Sequence, residues 1–400
     1  MKTKSTRRVF AQAGLGAMGA AAFLSGRRAE AQSANQPVDQ NPIRRRGTGL
    51  RAINRAKASP GFTLFSPLEG DGTVYLIDLD GKVAHTWKMA YPPGLYGYLT
   101  DKGTLFYNGK IDGDTIQGKM PFHGGVAMEA NWSGKVLWEL RWPDQHHDGR
   151  LLKNGNILLM CSAPLDDEVA RKVKGGGGGE GGGRGGRGGP QKMAGDYLVE
   201  LTTKGQKVWE WRSWEHFDPA QEVIVDGGRA EWSHGNGLAE LPDGNIVVSF
   251  RNICKVMQID RKSGEIMWKL GPPMLSVQHA PTPLANGNVL IFDNGLHGNS
   301  RVIEVQPSTQ EIVWKFQEPV PTGFFSPRIG NAQRLPNGNT LINEGVFGRF
   351  FEVTSAGETV WEYVNPHFGF AKDPAEKQQN DVFRVYRYTA DEIDRARRTA

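Results

Sequence analysis

Residues 256–268 read VMQIDRKSGEIMW: an apolar stretch, a Ser-Gly turn, and a second short stretch ending on Trp268. That is the signature of a β-hairpin, and the chain repeats it. The same plan is legible in YLIDLDGKVAHTW (75–87), AMEANWSGKVLW (127–138), YLVELTTKGQKVWEW (197–211), VIEVQPSTQEIVW (302–314) and FFEVTSAGETVW (350–361). Trp87, Trp138, Trp209, Trp268, Trp314 and Trp361 mark the copies, spaced by 51, 71, 59, 46 and 47 residues. Six copies at a near-constant period mean six supersecondary units, with an insertion inside the longest interval.

A second hairpin alternates with the first. DKGTLFY (101–107), KNGNILLM (153–160), LPDGNIVVS (241–249), LANGNVLIF (284–292) and LPNGNTLIN (335–343) each place a turn glycine ahead of a β-branched or apolar run. Two hairpins per unit make a four-stranded blade, and a ring of blades is an all-β, six-bladed propeller. Five glycine-turn hairpins serve six units. The sixth is expected from the chain ends, with VFRVYRY (382–388) pairing with GFTLFSP (61–67), so that one shared blade closes the ring. Helical periodicity is almost absent outside the last dozen residues. The glycine-rich residues 174–190 in the longest interval bury nothing and read as an unpacked loop, since no strand leads into a Gly-Lys-Ser/Thr phosphate motif.

Aligned on their turn glycines, three units carry a histidine in nearly one register. His147 lies 8 residues before Gly155, His279 8 before Gly287, and His234 10 before Gly244. The innermost strand of each blade lines the propeller axis, so these positions converge. A hairpin returns to the end from which it started, which brings Arg251, seven residues beyond Gly244, to the rim of His234. The same offset gives Ser162, Asn294 and Gly345, flanked by Asp293 and Glu344. Channel histidines can simply bind water, and three imidazoles also suit zinc or copper. The fixed cation Arg251 opposes a metal and favours an oxyanion. Trp232, Phe324 and Phe325 are candidates to sandwich an aromatic ring at this mouth, with packing between blades as their other reading.

At HHD with the following NGN, EWSHGNG with SFRN, VQHAPTP with FDNG, and FFSPRIGNAQRLPNGNTL, the sequence resembles the bacterial arylsulfate sulfotransferases over roughly residues 60–390. The resemblance implies transfer of a sulfo group from a phenolic sulfate ester to a phenol, without a nucleotide sulfate, metal or other cofactor. It makes His279 the histidine that becomes sulfated, with His147, His234 and Arg251 around the sulfuryl group. The chain differs from the best-known members in lacking room for their separate N-terminal β domain and in a shorter segment between His234 and His279. A scaffold propeller would not need these four side chains to converge. A quinoprotein dehydrogenase, suggested by DRKSGEIMW, would have eight units and an adjacent cysteine pair.

The amino terminus sets the expected location. Arg7-Arg8, Phe10, a short Ala/Gly-rich apolar stretch and Ala29-Glu30-Ala31 have the layout of a twin-arginine export signal cleaved after Ala31. Residues 1–31 hold six basic residues against one acidic, which accounts for the whole formal charge of +5. The remainder is near neutral, so neither nucleic acid nor a membrane is an expected partner. The expected layout is signal 1–31, extension 32–59, propeller 60–390 and tail 391–400, in a protein handed to the twin-arginine machinery and released to the periplasm. Cys161 and Cys254 sit on apolar runs whose spacing suggests no disulfide framework.

Overall fold

The strands named by those repeats hydrogen-bond into six antiparallel sheets in the computed structural model, which describes residues 41–120, 122–177, 192–296, 298–320, 322–369 and 378–400. The expected signal peptide, residues 32–40 of the extension and residues 178–190 of the glycine-rich stretch lie outside these. Blade 2 is Pro93–Leu99, Leu105–Lys110, Gly125–Ala130 and Val136–Arg141, and blade 3 is Gln145–Leu151, Ile157–Pro164, Ala194–Leu201 and Lys207–Arg212. Blade 4 is Gly235–Glu240, Ile246–Phe250, Lys255–Ile259 and Ile266–Leu270. Blade 5 is His279–Pro283, Val289–Asp293, Arg301–Gln306 and Glu311–Phe316.

Blade 1 joins the two ends of the chain. Val382–Tyr388 pairs antiparallel with Phe62–Pro67, as Leu64 opposite Tyr386 and Phe65 opposite Val385, and Thr73–Ile77 and Val83–Lys88 complete the sheet. Blade 6 holds Asn331–Arg334, Thr340–Glu344, Arg349–Val353 and Thr359–Val364. Gly49–Ile53, expected in an extension ahead of the propeller, adds a fifth strand to its outer edge. The first strand of each blade packs against the first strands of both neighbours all the way round, which makes these six strands the lining of the axis.

Burial follows strand position. The second strands of blades 4, 5 and 6 are buried along their whole length, whereas outer strands such as Val136–Arg141 and Lys207–Arg212 mix exposed and covered residues. Cores form between blades: Leu290, Phe292 and Val302 of blade 5 interlock with Ala332, Ile342 and Phe351 of blade 6. Truncating one such phenylalanine to alanine costs about 3–5 kcal/mol.

The recurring tryptophans face one partner type across the outer hairpin. Trp138, Trp209, Trp314 and Trp361 stand opposite Glu129, Glu200, Glu304 and Glu352, and Trp268 stands opposite Gln258. Blade 1 departs from the expected register: His85 holds the equivalent place opposite Leu76, and Trp87 lies two residues further on. The carboxylates latch the inner turns. Asn154 and Asn156 donate to Glu200 Oε1 at 2.9 and 2.6 Å, Asn286 and Asn288 to Glu304 Oε1 at 3.0 and 2.7 Å, and Asn339 to Glu352 Oε1 at 2.6 Å. The NGN motif is thus a joint device, its glycine taking a positive φ of 85° at Gly155 and its asparagines tying strand one to strand three.

Two segments beyond the blades are packed. Gly175 pairs with Ile224 and its carbonyl accepts from Arg229 at 2.9 Å, so the glycine-rich stretch begins as ordered structure. The expected tail is the helix Ala390–Arg397, started by a Thr389/Glu392 capping box and seated through Ile393 and Ala396. No helix among the described residues is long and apolar enough to cross a membrane.

Candidate active site

The innermost strands become irregular at one end. Their pairing slips between Pro93 and Gly97, between Gln145 and Gly149, between Gly235 and Gly237, and between His279 and Thr282. Non-glycine residues take positive φ at the same places: Leu95 at 103°, His147 at 40°, His234 at 50°, Ala280 at 49° and Ile329 at 51°. Bulges of this kind re-aim side chains, and each strained residue costs about 1–3 kcal/mol that the surrounding fold must sustain. Here they turn side chains toward the axis.

The three histidines of the common register meet at this rim. The rings of His147 and His234 lie 4.5 Å apart, edge to face, and Phe383 stands 6.1 Å from His147 and 6.3 Å from His279. His279 is fixed on both nitrogens: Nδ1 donates to Asn294 Oδ1 at 2.7 Å and to the Val277 carbonyl at 3.2 Å, and the Ile329 N–H donates to Nε2 at 3.2 Å. Asn294 is itself held by the Ser326 and Ile329 carbonyls, so its oxygen faces the imidazole. The neutral ring therefore carries its proton on Nδ1 and its lone pair on Nε2. His234 donates Nδ1–H to Glu231 Oε2 at 2.8 Å. His147 is bonded through Nδ1 to Nδ1 of His146 at 2.8 Å.

Arg251 arrives by its own hairpin, as its offset from the turn requires. Its backbone N–H donates to the His234 carbonyl at 2.9 Å, and its guanidinium bonds Asp226 at 2.6 Å and Asn252 at 3.2 Å. Of the other offset positions, Asn294 reaches the site, while the Ser162 hydroxyl bonds Gln117 at 2.7 Å.

A second arginine is present that the turn-based alignment could not find. Arg384 lies four residues before Tyr388, whose partner is Phe62, just as His147 and His279 lie four before Leu151 and Pro283, whose partners are Ile157 and Val289. It occupies the histidine register of blade 1, a blade with no turn glycine to measure from. Buried Arg384 bonds Asp148 Oδ2 at 2.8 Å, the Tyr96 hydroxyl at 3.0 Å and the Asn236 carbonyl at 3.2 Å, and lies over the Tyr96 ring. Asp148 also accepts from Tyr96 and from the N–H groups of Gly149 and Leu238, so this pair ties blades 1, 2, 3 and 4 together.

The electrostatics disfavour protonation of His147 and His279. Burial, then the charges of His234, His146, His279 and Arg384, hold His147 well below the 6.5 of a free imidazole. Burial and Arg251 do the same to His279, against the opposing bond to Asn294. Burial works to raise Glu231, but His234, His146 and Arg251 outweigh it and leave this carboxyl below its ordinary value. Access is graded: His279 is 2% and His147 4% exposed, whereas the side chains of His234 and Arg251 are 16% and 19% exposed.

The structure decides between the two readings of the aromatic candidates. Trp232 is fully buried against Phe217, its indole N–H bonded to the Glu222 carbonyl at 2.7 Å. Phe324 is buried with Phe292, Phe316 and Phe351 between blades 5 and 6. Both are packing residues, and Phe325, partly exposed, is anchored through its N–H to Glu344. The aromatic and aliphatic surface beside the histidines is Phe383, Leu95, Tyr96 and Ile329 with half-buried Phe122 and Val346. Cys161 and Cys254 are both buried free thiols.

Residues 185–366 match the arylsulfotransferase (ASST) family model, a span that contains His234, Arg251 and His279. Similar solved structures include a protein of unknown function from Bacteroides caccae, 14% identical over 76% of this chain and 94% of its own, with a TM-score of 0.49. A β-propeller domain from Myceliophteria thermophila is 12% identical over 80% and 87%, with a TM-score of 0.44. Virginiamycin B lyase from Staphylococcus aureus is 13% identical over 68% and 69%, with a TM-score of 0.39. No curated protein matches the chain. The stretch that carries His279, its partner Asn294, His234 and Arg251 is thus the part of the chain that is similar to the arylsulfotransferase family.

Proposed function

We propose that the protein moves a sulfo group from a phenolic sulfate ester to a phenol by a ping-pong mechanism through a sulfohistidine at His279. The observation that carries this reading is the anchoring of His279, whose proton is held on Nδ1 by Asn294 so that Nε2, which accepts only from the Ile329 N–H, keeps the lone pair that attacks once that bond is given up. In the first half-reaction Nε2 bonds to sulfur as the aryl O–S bond breaks, and phenoxide leaves. An asparagine oxygen cannot take the Nδ1 proton, so the intermediate stays an N-sulfo-imidazolium, an activated donor to the second phenol.

Arg251, beside His234, supplies positive charge and N–H donors where charge grows on the sulfuryl oxygens. The Ile329 N–H, displaced from Nε2 when sulfur arrives, is a further donor there. Phe383, Phe122 and Val346 offer an apolar face for the aryl ring. The reaction needs no cofactor. The arginine-signal reading of residues 1–31 adds the proposal that the protein works in the periplasm, which the intact mass of periplasmic material, beginning at Gln32, would establish.

The test is incubation with p-nitrophenyl sulfate, with and without a phenol acceptor, followed by rapid quench and peptide mapping at alkaline pH. Acceptor-dependent phenolate release and a sulfo adduct on the His279 peptide are expected. An adduct on His147 or His234 would overturn the assignment of the nucleophile, and no release with any aryl sulfate would overturn the activity.

A further inference from the structure

His146 is wholly buried and belongs to no register that the hairpins define, yet it contacts two chemically informative groups. Its Nδ1 is 2.8 Å from Nδ1 of His147, and its Nε2 is 3.0 Å from Asp196 Oδ1, within ion-pair range but without the alignment of a hydrogen bond. Asp196 Oδ2 accepts from the Ser233 hydroxyl and from the Gly235 N–H at 2.9 Å. We propose that Asp196, His146 and His147 form a proton relay in which His146 is a positioning residue and His147 is the group that exchanges a proton with the phenol oxygen. The proposal rests on the sulfotransfer reading above for its substrate, but the relay itself is a property of these three side chains.

The contacts fix the proton positions. A carboxylate beside His146 Nε2 places a proton there, so in the neutral dyad His146 Nδ1 is a lone pair. His147 must then donate from Nδ1, because two facing lone pairs at 2.8 Å repel. Its Nε2 is left as an acceptor toward the axis. Adding one proton reverses the central bond: His146 holds both N–H groups, its cation sits beside Asp196, and His147 presents Nε2–H toward the axis. One proton thus turns the inward nitrogen of His147 from base to acid.

This solves a difficulty in the site. His147 is a poor holder of a second proton, since burial and the neighbouring His234, His146, His279 and Arg384 all oppose it. The other charges around it are Asp148, bound to Arg384, Glu231, bound to His234, and Arg251, bound to Asp226. Asp196 is the carboxylate in contact with the dyad, and only through His146. When the aryl O–S bond breaks, Nε2–H of His147 passes its proton to the phenoxide and the Nδ1 proton of His146 moves to His147, leaving a neutral dyad. The acceptor phenol then returns a proton to His147 Nε2 as its oxygen bonds to sulfur, and the relay is reset. Protons balance over the cycle.

The experiment compares wild type with His146→Phe, which keeps the ring and removes both nitrogens, and His146→Asn, which keeps an acceptor near His147 Nδ1 but cannot carry the relayed proton. Donors span good and poor leaving groups, p-nitrophenyl sulfate and 4-methylphenyl sulfate. General acid catalysis contributes about 10²- to 10⁴-fold, so both variants should lose at least tenfold more rate with the methylphenyl donor. An equal loss with both donors would overturn the relay as a purely structural effect. In ¹⁵N-histidine-labelled protein at mildly alkaline pH, His147 should carry its proton on Nδ1 in wild type and in His146→Asn, and move it toward Nε2 in His146→Phe. A wild-type His147 protonated on Nε2 overturns the proposal without any assay. Should wild type transfer no sulfo group, the sulfotransfer reading fails while the ¹⁵N measurement still decides the relay.

Discussion

The two ends of the innermost strands are built on opposite principles. At the turn end, Gly155, Gly287 and Gly338 take the positive φ, and asparagines tie each turn to a carboxylate two strands away. Every conformational demand there is met by the residue type that meets it at least cost. At the axial mouth, His147, His234 and Ile329 take positive φ without being glycine, and Asp148, Arg384, His147 and His279 are buried together. The difference separates the part of each hairpin that makes the fold from the part that places chemical groups. Strain and buried charge gather at the second because a fold stabilised elsewhere can sustain them.

If that division is right, substitutions at the mouth change rate and those at the turns change stability. The largest effect is expected for His279→Ala, which should lower sulfo transfer by about 10⁴- to 10⁶-fold, the range for loss of a nucleophile, and abolish the peptide adduct. Arg251→Ala should slow the reaction by about 10²- to 10³-fold, as for one oxyanion donor, while the His279 adduct still forms. Equal losses in the two variants, measured by single-turnover quench, would erase the distinction between nucleophile and electrostatic partner.

Protonation gives a finer test. His147 and His279 titrate below the 6.5 of a free imidazole in the folded protein. The unfolded chain therefore binds more protons between those depressed values and 6.5. The stability this confers is full above about pH 6.5 and is lost as pH falls through the depressed range. Thermal melts should show Tm dropping as pH is lowered below about 6.5, with a shallower drop in His147→Leu. An unchanged slope would mean that the mouth does not carry this burden.

At the turn end, Asn288→Ala removes one bond to Glu304 and should cost about 1 kcal/mol with sulfo transfer unaffected. A tenfold loss of rate would show that the latch and the mouth are coupled. The smallest effect is expected for deletion of residues 178–189, which leaves the Gly175 pairing with Ile224 and the Arg229 bonds in place. Closing a shorter loop changes stability by about 0.6 kcal/mol per halving of length, so neither Tm nor rate should move appreciably.

The blade count and the closing strand pair were legible because each blade repeats the same packing problem. A hairpin buried between two neighbours demands the same alternation, turn glycine and outer aromatic each time. His147, His234, Arg251 and His279 were legible for a related reason, since a fixed distance from a turn fixes which end of a strand a residue occupies. Where one copy bends the rule the reading slipped: His85, not Trp87, stands in the tryptophan register of blade 1. Of the two readings open for Trp232 and Phe324, packing is the one the structure shows.

The sequence by itself therefore determined the architecture and the radial level of the histidines, both being consequences of local periodicity and turn chemistry. Only the tertiary structure decided what surrounds them. Arg384 reaches Asp148 and Asn236 from the far end of the chain, Ile329 offers its N–H to His279 from the next blade, and Asp196 meets His146 across strands of blade 3. None of these partners stands at a fixed sequence distance from the residue it serves. Their meeting depends on how six sheets pack around one axis and on local bulges that turn buried side chains inward, and a periodic pattern in a sequence carries no record of either.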